Sequence, residues 1–101
     1  MIVYKIQNKI NGKIYIGCTG QPLRNRFVQH LCSQVMTEFH RDLRELGKDA
    51  FLVEEIAQVD TREEALELES MCMGVLDCVR PNGYNVQVAV YYGKRRKEVN
   101  K

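Results

Sequence analysis

Residues 2–17 read IVYKIQNKINGKIYIG. Two apolar runs flank Asn11-Gly12, the strongest short signal for a β-hairpin. Residues 2–8 and 13–18 are therefore predicted strands. Each carries one tyrosine, Tyr4 and Tyr15. With Asn11-Gly12 as a two-residue turn, Asn8 stands opposite Tyr15, and Tyr4 lies an even number of residues from Asn8. Side chains alternate between the faces of a sheet, so this register places both tyrosines on one face. Ordinary strand packing accounts for either tyrosine taken alone.

The hairpin leads into CTGQP, where Gly20 and Pro22 break the strand and Pro22 suits the first turn of a helix. Residues 22–34 carry a helical stripe of Leu23, Phe27 and Leu31, widened by Val28 and Val35. A second helix is expected over 37–46, with Phe39, Leu43 and Leu46 on its apolar side and Gly47 as its stop. AFLVEEIAQV, residues 50–59, reads as a third strand. Thr61 and Glu64 fit a capping box that opens a third helix, running to about Asp77. Pro81-Asn82-Gly83 makes a turn, and YNVQVAV, residues 84–90, reads as a last short strand. The order ββααβα predicts a small α+β domain with helices against an antiparallel sheet.

The chain has 101 residues and is 45% hydrophobic, enough for one domain with a modest core. No apolar run is long enough to span a membrane, and Met1 leads straight into a strand pattern, so an intracellular protein is expected. Cys18, Cys32, Cys72 and Cys78 form no Cys-x-x-Cys pair and read as free, mostly buried thiols rather than zinc ligands. The net charge of +2 is unevenly spread: residues 1–48 carry +5, residues 49–93 carry −7 and residues 94–101 carry +4. The basic tail suits either a polyanion partner or a solvated terminus.

The third helix contains an oddity. Stepping about 100° per residue from Ala65 puts Cys72, Leu68, Leu76 and Met73 on one arc. Glu69 falls inside that arc, whereas Glu63, Glu64 and Glu67 face away. A carboxylate on a buried face is costly unless it is paired or bound to a metal, so a structural ion pair with an arginine competes with a functional role. On the first helix Arg26 and His30 are one turn apart, flanking Leu23 and Phe27 at the edge of the buried face. An arginine there can grip a phosphate bidentately, and a histidine beside it can hold a proton. Equally, both can simply snorkel over the core. His40 reads as a surface or packing histidine.

Taken together these residues resemble the GIY-YIG nuclease domain. Tyr15-Ile16-Gly17 keeps the second half of the signature intact. Ile2-Val3-Tyr4 stands where the family has Gly-Ile-Tyr. Arg26-Phe27-Val28-Gln29-His30 matches the family's arginine followed four residues later by histidine. FHRDLRELGKDAF matches its leucine-rich stretch before a glycine, and EEALELESMCM its acidic helix, with Glu69 in place of the metal-binding glutamate. Asn82-Gly83-Tyr84-Asn85 matches the terminal motif, with Asn85 in place of the family's asparagine. The domain would span residues 1–87, followed by a short strand and basic tail over 88–101.

The resemblance implies a small three-stranded antiparallel sheet flanked by helices, and hydrolysis of DNA phosphodiesters with one divalent cation. As a single carboxylate, Glu69 suits Mg2+, a hard ion that keeps most of its waters, and Mn2+ fits the same ligand. Arg26 would bind the phosphate, and Tyr4 would activate or position the attacking water. An unperturbed tyrosine, with a pKa of about 10, needs nearby cations to act as a base. Tyr15 and His30 would orient that water or share its proton, with both tyrosines on one wall of a cleft. Asn85 would brace the site. Lys94, Arg95, Arg96 and Lys97 would add non-specific phosphate contacts. Double-strand cleavage by one active site needs a homodimer or two visits. Either sequence recognition falls to a further DNA-recognition domain or a partner protein, or the chain is a free-standing nuclease with loose specificity. The alternative is a catalytically silent module of the same fold that binds nucleic acid or protein.

Overall fold

The computed structural model describes residues 1–86. Strands β1 (Ile2–Asn8) and β2 (Ile14–Thr19) are followed by helices α1 (Leu23–Cys32) and α2 (Glu38–Leu46). A 3-10 turn at Lys48–Ala50 leads into strand β3 (Phe51–Gln58), and helix α3 (Arg62–Val75) follows. The sheet order is β2-β1-β3, antiparallel throughout. The ββααβα order and the three-stranded sheet are as expected. The residues expected to form the strand at 84–90 give only an isolated bridge from Asn85 to Val79 within the described part. The remainder of that strand, and Lys94–Lys97, lie outside the described residues.

The hairpin register differs from the expectation. Tyr15 pairs with Ile6, not Asn8, and the loop spans four residues rather than two. A turn with Asn11 and Gly12 both left-handed would need φ above zero at both, yet only Gly12 has it, at 79°. Asn8 decides the matter. Its buried Oδ1 accepts from the Ile10 N–H at 2.8 Å and organises the loop from the inside, while its Nδ2 donates to Tyr84 Oη at 2.9 Å. The slip moves each partner by two residues, so the faces are unchanged. Tyr4 and Tyr15 do share one, with ring centroids 6.3 Å apart.

The alternation along β1 splits the core in two. On one face Tyr4 and Ile6 pack with Phe39, Leu43, Phe51 and Tyr84 beneath α1 and α2. On the other, Val3 and Ile16 pack with Ala65, Met73 and Cys78 beneath α3. Helix ends follow local chemistry. The Thr61 hydroxyl caps Glu64 N at 3.1 Å and the Glu64 carboxylate returns to Thr61 N at 3.2 Å, the expected capping box. Thr37 caps α2 by accepting from the His40 N–H. The apolar stripes are narrower than predicted: Val28, Val35, Leu46 and Leu76 are exposed. α1 ends at Cys32 and fully buries only His30, and α3 ends at Val75, leaving Leu76 past its last turn. The four cysteines are free, and only Cys32 is exposed. Among the described residues no helix is long and apolar enough to cross a membrane.

β2 is an edge strand, and residues 84–85 complete its free side. Tyr84 N–H donates to Ile14 O at 3.0 Å. The Asn85 side chain then grips Ile16 from both ends: its Oδ1 accepts from Ile16 N and its Nδ2 donates to Ile16 O, each at 2.8 Å. One amide thus does the work of a neighbouring strand. Asn85→Ala leaves two backbone groups of the edge strand without these partners. It is expected to cost about 2 kcal/mol, read as a lower urea midpoint at unchanged slope. An unaltered midpoint would show that water replaces the amide without loss.

Candidate active site

Gly17 sits opposite Tyr4 in the β1–β2 ladder. A Cβ there would lie 2.6 Å from Tyr4 Oη, 2.7 Å from Tyr4 Cζ and 2.9 Å from Tyr15 Cε2. No side chain fits under the two rings, which is the physical reason for a glycine after Tyr15-Ile16. Tyr15 stacks on Phe39 at 4.3 Å with the rings nearly parallel. It faces a cleft of about 290 Å³ shared with Glu38, His40, Glu69, Arg80 and Asn85. Tyr4 is not on that wall. It is fully buried behind Tyr15, which corrects the expectation that both tyrosines line the cleft. The cause is its place on the central strand, roofed by α1.

The Tyr4 hydroxyl meets His30 Nε2 at 2.8 Å. His30 is also deeper than the predicted edge position, being almost wholly buried. Both its nitrogens are engaged, because Nδ1 meets His40 Nε2 at 3.0 Å. His40 Nδ1 in turn meets the Thr37 hydroxyl at 2.6 Å. His40 is therefore no mere packing residue. Its contact crosses from α2 to α1, and helical periodicity carries no sign of it; the one hint was its place three residues after a capping threonine. Arg80 was likewise missed, because it sits on the loop after α3 where no pattern marks it.

Electrostatics follow burial. Burial, then Tyr15, raises the Tyr4 hydroxyl well above its ordinary value, partly offset by Arg26 beside it. Burial and the Glu69 carboxylate raise Tyr15, and Arg26 again opposes this. Burial, then the charges of Arg26 and His40, brings His30 down to about 3. His40 is lowered by burial and by Arg44 and Arg26. The Arg26 guanidinium thus acts on every member of the cluster. Its Nη1 donates to Gln29 Oε1 at 3.1 Å.

Glu69 is half-buried, and burial raises its carboxyl above the usual range, with the Cys18 thiol and Arg62 pulling it down. Among the described residues no cation lies within ion-pair distance of it. The competing structural ion pair is therefore not formed among the described residues. Asn85 reaches the same cleft, but its amide is committed to the Ile16 backbone. Tyr4, Tyr15, Arg26, His30 and Glu69 are thus brought together, and Asn85 anchors the strand that carries Tyr15.

The folded chain keeps His30 neutral down to about pH 3, against 6.5 for a free imidazole. Between these values the unfolded chain binds the extra proton, so this residue lowers stability as pH falls from about 6.5 towards 3. In His30→Gln the fall in melting temperature over that window should be shallower. An identical slope would mean that the histidine is charged in the fold.

A family model described as the GIY-YIG catalytic domain matches residues 1–85. Two solved structures share the fold. The catalytic domain of homing endonuclease I-TevI is 21% identical, with a TM-score of 0.67, covering 83% of this chain and 95% of that one. A glutamate-to-alanine variant of the catalytic domain of intron endonuclease I-TevI is 21% identical, with a TM-score of 0.68, covering 85% of this chain and 94% of that one. Among curated proteins none matches the chain. With the signature tyrosines, the glycine beneath them and the family match running through Asn85, the chain belongs to the GIY-YIG catalytic domain family.

Proposed function

We propose that this chain hydrolyses DNA phosphodiesters with the help of one divalent cation held by Glu69. The observation that carries the reading is the half-buried Glu69 carboxylate, with no cation paired to it among the described residues, in a cleft shared with Tyr15. A lone hard oxygen ligand in an open cleft suits Mg2+ or Mn2+, which keep several waters. It does not suit zinc, because the described residues hold no cluster of three His, Cys, Asp or Glu. When bound, the cation would supply Lewis-acid polarisation of the phosphate and stabilise the leaving oxygen.

The remaining work falls to the chain. Arg26 can grip a phosphate oxygen through its fork and offset charge as it develops in the transition state. Arg80 lines the cleft that holds Glu69 and Tyr15 and offers a second guanidinium. Tyr15, at the cleft wall, orients the attacking water. Tyr4 stands behind it with its hydroxyl on His30, so a proton taken from that water can pass inward. The +5 charge of residues 1–48 favours a polyanionic substrate, and the basic run Lys94–Lys97 would add phosphate contacts whose strength falls with salt. A single cleft of this kind cuts one strand per visit, so double-strand cleavage would require a homodimer or a second visit. Sequence choice would lie with a further domain or a partner protein.

Supercoiled plasmid is the direct substrate. The parent should nick it with Mg2+ and stop when the metal is chelated. Glu69→Gln and Arg26→Ala should each slow nicking by about 10²–10³-fold. Parent-like cleavage by Glu69→Gln, or cleavage in chelator, would sink the cation reading. A parent that cuts no DNA would sink hydrolysis of DNA itself.

A further inference from the structure

Four polar groups form a continuous line from the buried core to the surface. Tyr4 Oη meets His30 Nε2 at 2.8 Å, His30 Nδ1 meets His40 Nε2 at 3.0 Å, and His40 Nδ1 meets Thr37 Oγ1 at 2.6 Å. Tyr4 and His30 are buried, His40 is half-buried and Thr37 is exposed. Each neutral imidazole has one N–H and one bare nitrogen, so a choice made at one ring dictates the next.

We propose that His40, held by Thr37, is a positioning residue that fixes the tautomer of His30 and so keeps Nε2 bare to take the Tyr4 hydroxyl proton. The ordering runs inward from the surface. Thr37 Oγ1 accepts the His40 Nδ1 proton, which leaves His40 Nε2 as an acceptor. That nitrogen accepts the His30 Nδ1 proton, which leaves His30 Nε2 to accept from Tyr4. With its hydrogen aimed at His30, the Tyr4 oxygen is left to accept from the Tyr15 hydroxyl, which stands between it and the cleft. Tyr15 can then take a proton from the attacking water as it gives its own to Tyr4, and Tyr4 passes its own to His30. One proton enters Tyr4 and one leaves it for His30 Nε2, while the water becomes the hydroxide that bonds to phosphorus. The opposite ordering would aim a His30 N–H at Tyr4 and block this transfer.

Burial and nearby positive charge keep His30 neutral at rest, so one of its nitrogens is bare until Tyr4 passes its proton, and the neighbours choose which. The arrangement also explains why a buried histidine beside Tyr4 is accompanied by a second one from another helix. His30 Nδ1 would otherwise be a buried donor without a partner.

The role in hydrolysis rests on the proposed function, but the tautomer does not, and the two are tested separately. Long-range 1H–15N spectra of imidazole-labelled protein report which nitrogen carries the proton. The parent should show His30 protonated at Nδ1 with Nε2 bare, and His40→Ala should turn this into a mixture of tautomers. A parent with the His30 proton on Nε2 overturns the proposal whether or not the chain cuts DNA. In plasmid cleavage, His40→Ala should lower kcat by about 10- to 100-fold with KM unchanged, the usual loss when an outer partner of a working imidazole is removed. His40→Gln can place a carbonyl oxygen where Nε2 was and should recover most of that rate. A parent-like rate in His40→Ala overturns the proposal. So does a folded His40→Gln, judged by its melting temperature, that is as slow as His40→Ala.

Discussion

A buried phenol needs a hydrogen-bond partner, and the folding of this chain turns on the one that Tyr4 finds. Tyr4 sits on the central strand, fully enclosed. An unpartnered hydroxyl there would cost free energy comparable to that gained by burying much of the ring. His30 supplies the partner, so α1 must cross this face of the sheet at the height that brings its Nε2 to Tyr4. His30 then becomes a buried polar group with a second nitrogen to satisfy, and that fixes α2 through His40. Gly17 completes the constraint from the other side, because any side chain there would collide with both tyrosines. No buried side-chain nitrogen or oxygen among the described residues is left without a partner. The polar seam through the core is therefore fully satisfied, the condition under which such networks rigidify a fold rather than weaken it.

The same seam sets the electrostatics. Arg26 and Glu69 bracket Tyr15 with opposite effects, the guanidinium favouring the phenolate and the carboxylate opposing it. In the described structure burial wins, and both tyrosines hold their protons well above neutral pH. Neutralising Glu69 would remove one of the charges that raise Tyr15. The charge at Glu69 and the protonation of Tyr15 are thus coupled.

Much of this was legible in the sequence, for identifiable reasons. Thr61 and Glu64 announced a helix start because both halves of a capping box lie within four residues. Glu69 stood out because one acid among apolar neighbours breaks a periodic face. The shared face of Tyr4 and Tyr15 survived an error in register, because the hairpin slipped by two residues and side chains alternate with period two. What failed was non-local. Asn8 reshaped the hairpin loop while bonded to Tyr84, 76 residues away. Val28 and Leu76 lie on plausible stripes yet face solvent, since a stripe fixes a direction and not how far the neighbouring element reaches. His40 meets His30 across two helices, a contact that no spacing within either helix encodes.

The position of the cleft follows from the sheet edge. A central strand is covered on both faces and paired on both sides, so a cleft can open to solvent only at an edge. β2 is such an edge, and it carries Tyr15 and Gly17. An open edge also invites pairing with another strand, which would close the cleft. Asn85 resolves this conflict. Its amide satisfies the backbone of Ile16, and the loop that delivers it closes on itself through Asn85 N–H to Cys78 O and Arg80 N–H to Asn85 O, both at 2.8 Å. That loop also places Arg80 on the cleft. The contact that secures β2 therefore also builds a wall of the cleft, and Asn85 holds the strand that carries Tyr15.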